Sequence, residues 1–210
     1  MGKKEKLDEI RKRMNEDKSL PLRSGATQLV FGDGNPETDI LCVGEGPGYF
    51  EDQKGLPFVG NAGKLLDQLL EGAGMTRKND VYITNVVHHR PPENRDPHPQ
   101  EIASYGVYLD EIIETIDPEV IITLGRFSMN KFLPSAKISR IHGQEQVCSF
   151  KGREVIVVPM YHPAAALRSS EVMLQEREDF ANLPNILAKI RNKKDASDEQ
   201  KSVGEQMQLV

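Results

Sequence analysis

The feature that most constrains this chain is its alternation of short apolar runs with longer stretches of helical period. Asp39–Val43 (DILCV), Val81–Val87 (VYITNVV) and Val120–Leu124 (VIITL) are apolar on consecutive residues, as strands buried on both faces are. Glu154–Val158 reads as a fourth strand, paired as a hairpin with Gln146–Phe150 around the turn Lys151-Gly152-Arg153. Ala62–Gly72 repeats leucine at Leu65, Leu66, Leu69 and Leu70, which is helix spacing, and Pro99–Ile116 does the same from Ile102 to Ile116. A short helix follows Gly125 through Phe132, and a last one covers Ser170–Arg191. Strand followed by helix, four times over, predicts an α/β fold with a parallel sheet covered on both faces. The ends are more polar. Lys3–Asp17 reads as a charged helix with a thin apolar stripe (Leu7, Ile10, Met14) inside an N-terminal extension over 1–24. One domain ends near residue 192, and 193–210 reads as a mobile polar tail.

Composition narrows the function classes. With 38% hydrophobic and 28% charged residues the chain is globular. No apolar run approaches the ~20 residues that span a bilayer, and the charged segment Met1–Arg13 is not a secretory signal. Cys42 and Cys148 make no CxxC pair and no disulfide framework, which places the protein in a reducing cytoplasm. The net charge of -5 argues against a histone-like binder. Charge is uneven, however. Arg126 to Arg168 holds seven basic residues (Arg126, Lys131, Lys137, Arg140, Lys151, Arg153, Arg168) against Glu145 and Glu154, a local excess of +5 that suits a polyanion.

In a sheet of this kind ligands bind beyond the carboxyl ends of the strands. The loop Gly44-Glu45-Gly46-Pro47-Gly48 lies there. It is no dinucleotide fingerprint, because Tyr49 stands where a glycine is needed, and no Gly-Lys-Ser/Thr follows. Glu45, Glu51 and Asp52 would repel a phosphate. The loop suits either close backbone approach to a flat ligand, with carboxylates for acid, base or water-orienting work, or a tight turn with solvated acids. Phe58, between Pro57 and Gly60, suits stacking on a planar ring or stapling a helix start. Asn85 offers a donor and an acceptor together, matching the edge of a pyrimidine. His88, His89 and His98 raise the question of metal, but nothing elsewhere has the spacing to complete a site, so no metal is expected. His162 ends a strand, is held by Pro163, and precedes small residues and the pair Leu167-Arg168. That setting favours catalysis over a structural histidine.

These motifs together resemble the uracil-DNA glycosylase superfamily, most closely its family-4 branch, over about Ala26–Arg191. The resemblance rests on Gly44-Glu45-Gly46-Pro47-Gly48 with Glu51-Asp52, Gly55-Leu56-Pro57-Phe58-Val59-Gly60 with Ala62-Gly63, Thr84-Asn85-Val86-Val87, Arg90-Pro91-Pro92-Glu93-Asn94-Arg95-Asp96-Pro97, and His162-Pro163-Ala164. It implies a three-layer α/β/α sandwich around a four-stranded parallel sheet. It implies a monomeric DNA-repair glycosylase that flips uracil from single- or double-stranded DNA and hydrolyses the N-glycosidic bond, leaving an abasic site. In that scheme Glu45 and His162 are catalytic, Gly46, Glu51, Phe58 and Asn85 hold the base, and Arg126, Leu167 and Arg168 hold the DNA, Leu167 as a wedge. The alternative is a covalent or non-catalytic uracil-DNA binding protein.

Two departures from the family stand out. Members of the branch usually carry a four-iron, four-sulfur cluster on four cysteines. Here no cysteine precedes Cys42, His89 and Tyr105 stand at two ligand positions, and Cys42 and Cys148 lie in a strand and a hairpin. No cofactor is expected, and packing among Met14–Arg23, His89 and Tyr105 must hold that region. The loop after His162 reads Ala-Ala-Ala-Leu, where the family has a bulkier residue before the leucine.

Overall fold

The computed structural model describes the backbone of residues 1–207 and the side chains of residues 1–192; the tail expected over 193–210 lies outside the residues described in full. In chain order the strands are β1 (Asp33–Gly34), β2 (Ile40–Gly44), β3 (Tyr82–Asn85), β4 (Val120–Leu124), β5 (Gln146–Phe150) and β6 (Arg153–Met160), in one sheet of order β1-β3-β2-β4-β6-β5. The central four, β3-β2-β4-β6, are parallel. The expected strand count needs correction: β1 and β5 add antiparallel edges, making a mixed six-stranded sheet. β1 pairs only Asp33 with Ile83 and Gly34 with Tyr82, too short to leave an alternation in the sequence.

The helices are α1 (Lys3–Glu16), α2 (Tyr49–Lys54), α3 (Asn61–Gly72), α4 (Arg77–Asp80), α5 (Pro99–Ile116), α6 (Arg126–Phe132), α7 (Ile138–Ile141), α8 (Pro163–Ala166) and α9 (Ser170–Met207). Successive strand residues point to opposite faces, and each face has its own core. Leu41, Val43, Ile121 and Val157 pack with Leu7, Ile10 and Met14 of α1 and Leu109, Ile112, Ile113 and Ile116 of α5. Ile40, Cys42, Ile122 and Val158 pack with Leu65, Leu66, Leu69 and Leu70 of α3 and Phe180, Leu183 and Ile186 of α9. That is the three-layer sandwich. Each such side chain contributes about 1.5–3 kcal/mol when fully buried, so the stripe of α1 belongs to the core. No helix among the described residues is long and apolar enough to cross a membrane.

Candidate active site

All four parallel strands release the chain at one edge of the sheet, and a cavity of about 360 Å³ opens there. Glu45, Gly46, Glu51, Phe58, Asn85, His162 and Arg168 line it. Leu167 is half exposed beside Arg168, and Arg126 stands off the cavity wall. Seven of the nine residues singled out from the sequence therefore meet in one space.

Phe58 is held by force from two sides. Its φ is +52, a conformation that few residues other than glycine adopt, at a cost on the order of 1–3 kcal/mol. Glu51 Oε1 accepts the backbone N–H groups of Val59 and Gly60, both at 2.8 Å. From the other side the Arg77 guanidinium donates to the carbonyl oxygens of Pro57 (2.6 Å) and Phe58 (2.7 Å) and to Asp67 Oδ1 (3.0 Å). Sequence reasoning missed Arg77. Its targets are backbone carbonyls nineteen and twenty residues away, which no side-chain motif records. Of the other acids in this segment, Asp52 turns away from the cavity and accepts the Thr27 N–H at 2.8 Å.

Asn85 ends β3 and is 2% exposed, and its Oδ1 has no hydrogen-bond partner. Gly44 makes room for it: a Cβ there would lie 2.4 Å from Asn85 Oδ1 and 2.6 Å from the Phe58 ring. His162 stacks against Phe58 with ring centroids 5.5 Å apart and planes 26° apart. Its Nδ1 accepts the Ala164 N–H at 3.1 Å, which assigns the proton of the neutral ring to Nε2. Burial pushes its pKa down to about 4, with Arg168 adding to the effect and Glu51 opposing it. The imidazole is neutral at physiological pH.

Glu45 Oε1 accepts the Phe127 N–H at the start of α6, at 3.0 Å. Gly125 permits that contact: its φ is +106, and a Cβ would lie 2.3 Å from Oε1. Burial raises the Glu45 pKa, and the N–H groups of Phe127 and Arg126 and the Arg126 charge restrain the rise. This carboxylate is fixed by one oxygen at the cavity wall.

Four of the seven basic residues of the stretch are paired with acids. Lys131 pairs with Asp110, Lys151 with Glu114 and Arg153 with Asp117, all on α5 or at its end. Arg126 pairs with Asp96 and lies over the Phe127 ring. Successive strand and helix residues point in different directions, so charge summed along sequence does not become charge summed over a surface.

The donor set for an iron–sulfur cluster does not fit this chain. His89 Nδ1 lies 2.8 Å from the Tyr105 hydroxyl, with both residues buried, and Met14, Leu20 and Leu22 pack in the same core. Both cysteines are buried, Cys42 in β2 and Cys148 in β5. Two thiols on separate strands cannot supply the four thiolates such a cluster takes, and among the described residues no group of three or more His, Cys, Asp or Glu could hold a metal ion.

The chain that builds this cavity is similar over most of its length to known proteins. The chain is 42% identical to the type-4 uracil-DNA glycosylase of Archaeoglobus fulgidus, over 88% of its own length and 95% of that protein's. It is 39% identical to the type-4 uracil-DNA glycosylase of Thermotoga maritima, over 89% and 97%. It is 40% identical to that of Sulfurisphaera tokodaii, over 86% and 84%. The profile of the uracil DNA glycosylase superfamily matches residues 31–187, all four parallel strands included, and the chain belongs to that superfamily.

Proposed function

We infer that this chain is a DNA-repair glycosylase that takes a flipped-out uracil into its cavity and hydrolyses the C1′–N1 bond, leaving an abasic site. The observation that carries the reading is Asn85: a buried acceptor on the cavity wall with no partner in the protein. A buried polar atom left alone costs about 1–3 kcal/mol, and uracil N3–H is the donor that repays it. The Asn85 amide then donates to O4. Cytosine presents a bare N3 and an amine at these positions, so both bonds fail.

Flipping costs a few kcal/mol of unstacking. Phe58 and His162 are too close to admit a third ring, which needs about 3.5 Å on each side. The base therefore lies against the cavity side of Phe58 with the imidazole at its edge. As the C1′–N1 bond breaks, its electron pair moves into the uracil ring and charge gathers on O2, where the neutral His162 Nε2–H donates. Glu45 orients the water that attacks the cationic C1′ and takes its proton. Glu51 braces the Phe58 loop, and by resemblance its carboxylate crowds C5 and excludes the thymine methyl. Leu167 fills the vacated stack, Gly46 lets the backbone approach the base, and Arg168 holds a flanking phosphate. Arg126 holds a phosphate by exchanging it for Asp96. One chain supplies every residue of this scheme, which supports action as a monomer, and the two buried free cysteines suit a reducing cytoplasm.

Alkaline cleavage of a uracil-containing oligonucleotide on a denaturing gel tests the reading. A cleaved strand is expected. A shifted covalent band would favour a covalent trap, and intact DNA a non-catalytic binder.

A further inference from the structure

Of the seven phenylalanines and five tyrosines, only Tyr49 and Phe50 are exposed, at 52% and 54%. They are consecutive, and they sit on the rim of the cavity. Tyr49 opens α2 directly after Gly48, a cavity-lining residue. Phe50 stands beside Gly60, where a Cβ would meet its ring at 3.4 Å. The two rings meet edge to face, with centroids 5.5 Å apart and planes 80° apart. The Arg90 guanidinium lies 5.3 Å from the Tyr49 ring centroid. It is steadied there by a bond from its Nε to Asn94 Oδ1 of 2.7 Å, and Asn94 itself lines the cavity. An aromatic pair left in water beside a cation, bridging two lining loops, has the composition of a stacking platform for unpaired bases.

We propose that Tyr49, Phe50 and Arg90 form a second subsite, which takes the base next to the flipped uracil on the same strand in an unstacked, single-stranded form. The proposal rests on the uracil reading of the cavity. Flipping a nucleotide removes one stacking partner from each neighbour. On the rim around Arg168, Leu167 can replace a partner; on the α2 rim the aromatic pair does. Arg90 pairs with the phosphate of the same nucleotide while its plane stays on Tyr49. Stacking accepts any base, so the subsite extends the footprint without adding sequence preference, and favours single-stranded over duplex DNA.

The test uses a single-stranded oligonucleotide in which 2′-fluoro-2′-deoxyuridine, which resists cleavage of its glycosidic bond, stands beside 2-aminopurine on its 5′ or its 3′ side. Binding to the wild-type protein should quench the emission of 2-aminopurine on one side only. Tyr49→Ala/Phe50→Ala should abolish that quenching and weaken binding about five- to a hundredfold, the range of one stacked base. Its binding to the same uridine flanked by two abasic sites should stay within twofold of wild type. Equal quenching and affinity in the two proteins with the 2-aminopurine strand would overturn the proposal. So would equal weakening with both strands, which means a damaged pocket. Uracil release from a deoxyuridine strand with abasic flanks is the control for the parent reading. Wild type failing there sinks the glycosylase itself, whatever the platform does.

Discussion

The α1–α5 flank and the cavity at the strand ends each shield histidines from water, and they do so differently. On the α1–α5 flank, polar side chains close on each other. His89 meets Tyr105, Tyr108 donates to Asp17 at 2.9 Å, and where the flank borders the cavity Arg95 makes two bonds to Glu101 at 2.6 and 2.8 Å. At the cavity the same protein holds Phe58 at positive φ and leaves Asn85 Oδ1 alone. Burial lowers the pKa in both places, to about 4 for His89 and about 4 for His162. A perturbed histidine is therefore no mark of catalysis by itself. Nor is an orphan atom, since His88 Nδ1 also lacks a partner. His88 is sealed in the core at 0% exposure, whereas Asn85 borders an open space of ligand size. Among the described residues, strain, an unpaired atom and a cavity coincide at the strand ends.

The comparison breaks first at His162. In the proposed mechanism the Nε2–H acts on charge that exists mainly in the transition state, so His162→Ala should lose about a hundred- to a thousandfold in single-turnover rate, roughly 2.7–4 kcal/mol. Its affinity for uracil-containing DNA should change less than threefold. A rate loss under threefold, or equal losses in rate and affinity, would move this histidine to the structural class of His89 and leave the chemistry to Glu45.

Arg77 should come next. It touches no substrate in the proposed scheme and works by holding the carbonyls of Pro57 and Phe58, so it is a positioning residue. Arg77→Met should lower kcat/KM for uracil-containing DNA by about ten- to a hundredfold, in the range that misplacing a reacting group by an ångström produces. Binding to abasic DNA should be unaffected, and Arg77→Lys should recover part of the loss. If abasic DNA binds as poorly as substrate, Arg77 is holding up the fold and not the ring.

The contrast between His162 and Arg77 also marks what the sequence could reveal. Strands β2, β3 and β4 were legible because burial on both faces forces consecutive apolar residues. His162 and Asn85 were legible because a parallel sheet delivers its strand ends to one edge. Arg77 was not, since it acts on backbone, and neither was the positive φ of Phe58, which a glycine would have announced. The pairing within the basic stretch was hidden for a related reason. Lys131, Lys151 and Arg153 are close in sequence to Arg126 and Arg168 but meet acids of α5.

A smaller and shared effect should appear with pH. His88, His89 and His162 have pKa values lowered to about 3, 4 and 4. Below their unfolded value of about 6.5 the unfolded chain takes up protons that the folded one refuses, so stability falls as pH falls from about 6.5 toward 4. Glu176, 0% exposed and with both oxygens unpartnered, has its pKa raised to about 8 by burial and by Asp179. It has the opposite sign: the folded chain keeps a proton that the unfolded one releases, and stability is lost as pH rises through that value. Each group contributes at most about 1.4 kcal/mol per pH unit. The three histidines outweigh Glu176 below about pH 6.5, so the melting temperature should peak near there. Glu176→Gln should flatten the alkaline limb and steepen the acid limb above about pH 4.5, because the group is linked to folding from its unfolded to its folded pKa. An unchanged alkaline limb would show that Glu176 is ionised in the folded protein.

The smallest effect on catalysis is expected where the flank is most polar. Tyr105→Phe removes one hydroxyl, keeps the ring at 0% exposure, and leaves buried His89 Nδ1 without its 2.8 Å partner. The orphaned nitrogen and the lost bond should lower stability by about 1–3 kcal/mol. Uracil excision should stay within twofold of wild type at temperatures well below the melting point, because neither residue lines the cavity. If this pair stands in for the missing thiolates, stability should also be indifferent to iron: metal analysis of the purified protein should give well under one iron per chain, and a chelator should not shift the melting temperature. Two outcomes would undo the contrast between flank and cavity. Near four irons per chain, with broad visible absorbance, would mean that the flank holds a cofactor through a different arrangement of side chains. A tenfold fall in excision by Tyr105→Phe at unchanged stability would mean that the flank reaches the cavity through the adjoining residues 86–98. The closed hydrogen bonds between His89 and Tyr105 and between Arg95 and Glu101 would then set the position of the Arg90–Pro97 loop on the cavity wall, and the division drawn between structural and catalytic histidines would rest on His162 alone.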